Sequence, residues 1–253
     1  MNIFYNGVNI NDGITYIVEE SNHEISAKPD INLQKIARTN DSVLLRKNYT
    51  TKTINMTLII SDVDKDSLDA RIDDFKELIE APNKNLDIDY AGVQRRFVCT
   101  GYIEKIDRHY RWARLTMRFE CYRAFSEDTS NTVERFNDKT TSPYTDDIEI
   151  GGSAPAQPTI TINVNSLTGT GDRFIQIKNT DNGDYVKITA NDWAADDVIV
   201  ISSRNGLVTR NGNVVEYLGI MPDWNPGANN WEYSDDFSAR QVDISFSYKK
   251  RYL

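Results

Sequence analysis

DVIVISSRNGLVTRNGNVVEYLGIMPDWNPGANNW, residues Asp197–Trp231, decides the fold of the second half of this chain. An unbroken apolar run, Val198–Ile201, leads to Asn205-Gly206 and Asn211-Gly212, and then to a Pro226-Gly227 loop flanked by Trp224 and Trp231. Asn-Gly supplies the positive-φ residues of a type I′ hairpin turn, and a β-branched apolar run bounded by such turns reads as a strand. The stretch therefore predicts consecutive antiparallel strands ending in a tight, aromatic-walled loop. Nothing in it has the residue types of a reaction centre.

The same pattern extends on both sides. Ile160–Val164, Phe174–Ile177, Tyr185–Ile188 and Gln241–Tyr248 are short strand-like runs separated by Thr-Gly-Thr-Gly and Asp-Asn-Gly-Asp turns, with no helical period among them. Short strands at regular spacing with Gly-rich turns predict a β-sandwich over 159–253. Upstream, residues 126–158 are rich in Ser, Thr, Asp, Gly and Pro and poor in core residues. That composition predicts a junction, placed at 138–158, after a first domain of residues 1–137.

The first half has a different texture. Ile54, Met56, Leu58 and Ile60 alternate as in a half-buried strand. The period then changes: Leu68, Ile72, Phe75, Leu78 and Ile79 fall on one helical face, with Asp64 or Asp66 placed to cap and Ala81-Pro82 to stop the helix. Leu86–Tyr90, an Ala91-Gly92 turn, Phe97–Ile103 and the alternating Ala113–Tyr122 complete a three-strand meander with one apolar face. A helix with one apolar stripe lies on a sheet. The expected fold class is thus mainly β: an α+β sheet domain with one helix, followed by the sandwich. Between the opening strands and Asn48, residues 21–48 carry Ile31, Leu33, Ile36, Val43, Leu44 and Leu45 without a strong period. A segment of that length is either a loop or an arm that finds its burial on another subunit.

Composition narrows the function. A formal charge of −9, concentrated in the second half, disfavours a general nucleic-acid or anionic-membrane binder. No leader pattern opens the chain and no apolar run has the length of a membrane span, so synthesis and retention in the cytosol are expected. Cys99 and Cys121 lack metal or redox spacing and read as buried thiols. The chain has no G-x-S-x-G, H-E-x-x-H or Walker motif, and only His23 and His109 for histidine chemistry. No catalytic residue, metal ligand or cofactor is expected. Asp62, Asp64, Asp66 and Asp73 stand at calcium-loop spacings, but Ser67 replaces the required Gly and Asp73 the bidentate Glu, so helix capping explains them better. Arg95, Arg96, Arg108, Arg111, Arg114, Arg118 and Arg123 make the meander locally basic, either as a solvated face or as a salt-bridged interface. Asp223, Asp235 and Asp236 beside Trp224 and Trp231 form the carboxylate–aromatic group closest to a sugar site.

The order of these parts carries a resemblance. YNGVNIND, the long arm, YTTKTINMTLII, LDARIDDFKELI, NKNLDIDYAGVQRRFVCTGYIEKI and RLTMRFECYRAF resemble the N-terminal domain of the distal tail proteins of long-tailed bacteriophages. GGSAPAQPTITI, VIVISSRNGLVTRNG and WNPGANNW resemble that family's C-terminal, galectin-like sandwich. The likeness spans nearly the whole chain and is nearest to the proteins of lactococcal phages. It implies a structural, non-enzymatic virion protein, assembled in the bacterial cytoplasm as a homo-hexameric ring at the tail tip or baseplate. The ring would join the tail tube protein to the tail-tip protein and to receptor-binding or upper baseplate proteins, with DNA passing its channel and no membrane insertion. The arm becomes a belt on a neighbouring subunit, through Ile31, Leu33, Ile36, Val43, Leu44 and Leu45. Trp224, Asn225 and Trp231 become a candidate partner-binding loop. The alternative is a carbohydrate-binding module for host wall polysaccharide, although the second half lacks the histidine that galectin sugar sites use.

Overall fold

The computed structural model describes the chain apart from residues 24, 26–28, 36–41, 50 and 91–92, and describes 29–35 and 42–49 by their backbone. The chain divides into two compact units, Met1–Thr129 with Leu253, and Ser130–Tyr252.

In the first unit the strands are β1 (Asn2–Tyr5), β2 (Val8–Asn9), β3 (Tyr16–Ser21), β4 (Pro29–Lys35), β5 (Ser42–Tyr49) and β6 (Lys52–Ser61). Helix α1 (Lys65–Glu80) follows, then β7 (Lys84–Tyr90), β8 (Val93–Arg108), β9 (Trp112–Cys121) and β10 (Ser126–Asp128). The main sheet runs β2-β1-β7-β8-β9-β6-β3, with β10 added beside β8. Its neighbouring strands pair antiparallel, so the expected meander β7-β8-β9 forms its centre. The expected Ala91-Gly92 turn lies outside the described residues. Alternation along β6 and β9 sends Ile54, Met56, Leu58 and Ile60, and Leu115, Met117 and Phe119, into one core. Leu68, Ile72, Phe75 and Ile79 of α1 close that core.

Both ends of the helix are satisfied by side chains. Asp64 Oδ1 accepts from Ser67 N–H at 2.9 Å, as an N-cap does. At the other end the buried Tyr5 hydroxyl donates to Ala81 O at 3.0 Å. Burial and the neighbouring Cys99 push the Tyr5 phenol up to about 12, so it keeps its proton for that bond. Gly101 of β8 lies under this contact: a Cβ there would sit 2.8 Å from the Phe119 ring and 3.0 Å from Ile79. Glycine lets helix and sheet approach.

β4 and β5 pair with each other from Pro29↔Tyr49 to Lys35↔Ser42, with an irregularity between Asn32 and Leu33. They make a separate two-stranded sheet. Within the segment expected as a loop or an arm, the described residues thus form two paired strands. Sequence periodicity missed them because the bulge shifts the in–out alternation partway along.

The second unit contains β11 (Thr132–Lys139), β12 (Tyr144–Ile150), β13 (Thr159–Thr168), β14 (Arg173–Asn179), β15 (Tyr185–Ala190) and β16 (Val198–Ser202). It continues with β17 (Leu207–Arg210), β18 (Asn213–Val214), β19 (Leu218–Gly219), β20 (Gly227–Asp235) and β21 (Ala239–Tyr248). One sheet runs β11-β21-β13-β16-β17-β18 and the other β12-β20-β14-β15-β19. Their inner faces share one core, the anticipated sandwich. The stretch expected as a junction is instead part of it. β12 pairs with β20 from Tyr144↔Tyr233 to Ile150↔Gly227, and β11, assigned from sequence to the first domain, pairs with β21. β11 and β12 are edge strands, and polar residues such as Glu134 and Asp147 along them dilute the apolar signal that marks a strand.

Of the Asn-Gly pairs, Asn211 (φ +52°) and Gly212 (φ +80°) form the expected two-residue turn between β17 and β18. The other pair closes a longer loop, 203–206, in which Gly206 (φ +64°) is left-handed and Asn205 is not.

Candidate functional site

The aromatic loop was the sequence's strongest site candidate, and burial corrects it. Trp224 and Trp231 are both 0% exposed. Trp231 projects from β20 across the sandwich, its ring 4.9 Å from Phe136, 5.0 Å from Phe246 and 5.7 Å from Tyr144. Trp224 stands 5.1 Å from Phe246, and its carbonyl accepts from Ala156 N–H at 2.8 Å. The Pro-Gly-x-Asn motif is a self-contained turn: buried Asn229 donates from Nδ2 to Asn225 O (2.7 Å) and Gly227 O (2.8 Å), and its Oδ1 accepts from Asn225 N–H. Of the three residues, Asn225 alone is exposed. The indoles hold the sheets together and offer no face to a sugar or a partner.

Two of the three carboxylates near them, Asp235 and Asp236, are committed as well, and Asp223 is exposed. Asp235 lies inside the unit, where Arg240 Nη2 donates to its Oδ1 at 2.8 Å and Phe237 N–H at 2.9 Å. Asp236 Oδ1 accepts from Phe174 N–H at 2.9 Å. A hydrolytic pair needs one carboxyl free to take a proton and a second facing it across a cleft; these two are tied to backbone and arginine.

Asp197, the first residue of the opening stretch, is the polar centre of the hairpin region. It is nearly inaccessible, and accepts from Arg210 Nη2 (2.7 Å), Asn211 Nδ2 (2.7 Å) and Ala194 N–H (2.8 Å). Burial alone would raise its carboxyl, but these bonds and the Arg210 charge hold it below the usual carboxylate range. The guanidinium in turn lies 4.6 Å from the Trp193 ring. One buried carboxylate thus fixes both the loop before β16 and the turn after β17.

On the first unit, most of the arginines of the basic face carry a carboxylate partner. Arg96 and Asp87 form a two-bond fork at 2.7 Å each. Arg114 binds Glu19 (2.9 Å), Arg118 binds Glu120 (2.6 Å), Arg108 binds Asp69 (2.5 Å) and Arg123 binds Glu127 (3.0 Å). Internal pairing of this kind leaves little charge for phosphates. Three of the four acidic residues considered for calcium are similarly engaged, Asp62 with Arg71, Asp64 at the helix cap and Asp73 with Lys76, and Asp66 lies in the first turn of the helix.

Two apolar surfaces were not anticipated. At one end of the first sheet Ile14 (80% exposed), Val63 and Tyr110 (70%) emerge together, since Ser61 N–H bonds Thr15 O and Asp62 N–H bonds Arg111 O. On the sandwich, Leu207 and Val214 are exposed beside a shallow depression of about 300 Å³ bounded by Gly206, Val215 and Tyr217. These side chains come from separate loops and short strands, so no sequence period groups them. Of the arm residues, Ile31 and Leu33 fall in β4 and Val43, Leu44 and Leu45 in β5; Ile36 lies outside the described residues.

Among the described residues no group of three His, Cys, Asp or Glu is arranged to hold a metal ion, and no helix is long and apolar enough to cross a membrane.

Comparison with known proteins agrees with the sandwich. Residues 151–252 match the family described as siphovirus-type tail component, C-terminal domain. No curated protein sequence matches the chain. Among solved structures, the Dit protein (gp 19.1) of phage SPP1, described as a paradigm of the hub adsorption apparatus in phages infecting Gram-positive hosts, is similar over 100% of this chain and 99% of its own, with TM-score 0.71 and 13% identity. A chain of the phage p2 baseplate in its activated conformation with Sr covers 96% of each chain at TM-score 0.45 and 11% identity. Residues 151–252 therefore match a siphovirus-type tail component C-terminal domain, and the whole chain shares the fold of the SPP1 distal tail protein Dit.

Proposed function

We propose that the chain is a structural protein of the virion, six copies of which close a ring at the distal tail or baseplate. In this reading the first units form the ring around a channel for the phage DNA, and the galectin-like sandwiches face outward. The ring joins the tail tube protein to the tail-tip protein and to the receptor-binding or upper baseplate proteins, and so contributes to host attachment. It assembles in the host cytoplasm. Placement nearest to the lactococcal proteins rests on the sequence resemblance.

One observation carries the subunit contact. β4 and β5 form a two-stranded sheet separate from the main sheet of their unit. A two-stranded hairpin is at best marginally stable alone in water, and this one contains Ile31, Leu33, Val43, Leu44 and Leu45. Packing on a neighbouring copy supplies the burial it needs. The complete burial of Trp224 and Trp231 supports an architectural role over a sugar-binding one.

The test is mass by light scattering with negative-stain imaging. Hexamers and rings are expected from the intact chain. Replacing residues 29–49 by a Gly-Ser linker gives a monomer that still unfolds cooperatively. An intact chain that stays monomeric at micromolar concentration, with no ring in isolated virions, sinks the proposal.

A further inference from the structure

Cys99 of β8 and Cys121 of β9 face each other in register on the buried side of the first sheet. They are 0% and 2% exposed, and both are free thiols. The ladder identifies the type of pair they form. One step along, Tyr122 N–H donates to Val98 O at 2.9 Å. Hydrogen-bonded and non-hydrogen-bonded pairs alternate in an antiparallel ladder, so Cys99–Cys121 is a non-hydrogen-bonded pair. In such pairs the Cα atoms stand about 4.5 Å apart and the side chains are closest. Disulfides take Cα separations of about 4.4–6.8 Å, so these backbones already stand within bonding range.

We propose that this dithiol is a latent modification site, at which a low-molecular-weight disulfide such as oxidised glutathione closes Cys99 and Cys121 into an intrachain cross-strand disulfide. Cys121 reacts first. It is the last residue of β9, and its register partner across the ladder is Lys52, the first residue of β6, so fraying of one strand end uncovers it. The Lys52 ammonium, which donates to His23 O, is in electrostatic range of the Cys121 sulfur. Cys99 reacts second: its hydrogen bond to the Cys121 sulfur and its burial hold its thiol far above the usual range.

The exchange balances. The Cys121 thiolate attacks one sulfur of the small disulfide and releases one small thiol, which carries away the proton. The Cys99 sulfur then gives up its proton, attacks the mixed disulfide at Cys121 and displaces the second small thiol. Two protein S–H bonds become one S–S bond, and one disulfide is reduced to two thiols. A reducing cytosol keeps the pair open during synthesis; an oxidising medium closes it. Closure ties β8 to β9 and restricts the unfolded chain between them. The site does not depend on the ring reading.

The experiment incubates the native full-length chain with oxidised glutathione and reads intact mass, thiols titrated after denaturation, and a protease map. The expected result is loss of two hydrogens in mass, loss of both titratable thiols, a linked Cys99–Cys121 peptide and a raised unfolding midpoint, all reversed by dithiothreitol. Cys99→Ala and Cys121→Ala each abolish the mass loss and the rise in midpoint. Persistent glutathione adducts on both sulfurs, chain-to-chain disulfides, or a pair that reacts only after denaturation overturn the proposal.

Discussion

Truncation of Trp231 separates a core role from a binding role. The side chain is fully buried against Phe136, Phe246 and Tyr144. Removing such a ring costs about 3–5 kcal/mol, because the opposed sheets relax only partly into the void. For a unit of this size that loss lowers the unfolding midpoint by roughly 10–20 °C. The indole Nε1 has no hydrogen-bond partner. An unpaired buried donor costs about 1–3 kcal/mol, so Trp231→Phe regains part of what the smaller ring loses and ends within about 2 kcal/mol of the parent. Urea unfolding followed by circular dichroism, with Trp193 and Trp224 as fluorescent reporters of the same unit, measures both variants. A Trp231→Ala chain that unfolds at the parent midpoint but loses affinity for wall polysaccharide refutes the reasoning and restores the sugar site. A Trp231→Phe chain as unstable as Trp231→Ala refutes the unpaired N–H.

Further outcomes follow from the same geometry. The depressed carboxyl of Asp197 contributes stability that is complete above the unfolded-state value, about 3.9, and is lost as pH falls through the folded value below it. Acid titration of the second unit's unfolding midpoint should therefore show a step below pH 4 that Asp197→Asn removes, together with a lower midpoint at neutral pH; an unchanged acid profile refutes the assignment. Gly219 has φ +105°, and a Cβ there would lie 2.0 Å from Tyr185 O, so Gly219→Ala should detach β19 from β15 and cost more than about 1 kcal/mol. Amide exchange at Val186 and Lys187 reports the detachment, and unchanged protection contradicts it. Asp64→Ala should lower the first unit's unfolding midpoint through loss of the helix N-cap, with Asp64→Ser retaining most of it; calorimetry on both variants decides.

The residues that announced the architecture did so through local rules. The period-2 runs of β6 and β9, the period-3.6 face Leu68–Ile79, and Asn211-Gly212 each encode their conformation in neighbours a few positions away. A helix cap at Asp64 or Asp66 and the turn at Pro226-Gly227 were readable for the same reason, and the structure selects Asp64. The β11 and β12 edges and the β4–β5 hairpin were not. Their strand character depends on pairing with partners far along the chain, or, in the hairpin, is masked by a bulge that breaks the alternation.

Sequence by itself determined the mainly β class, the single capped helix and the lack of recognised catalytic motifs, because these follow from composition and short-range spacing. Tertiary structure alone decided what the conspicuous residues do. Trp224 and Trp231, read from sequence as walls of a binding loop, face inward because β20 lies opposite β21 in the sandwich and Phe246 fills the space between them. Arginines that resembled a basic patch meet carboxylates from Glu19 to Glu127, and two cysteines separated in sequence become register partners. Burial and charge pairing are properties of long-range contacts, and the pairing of distant strands is what sets them.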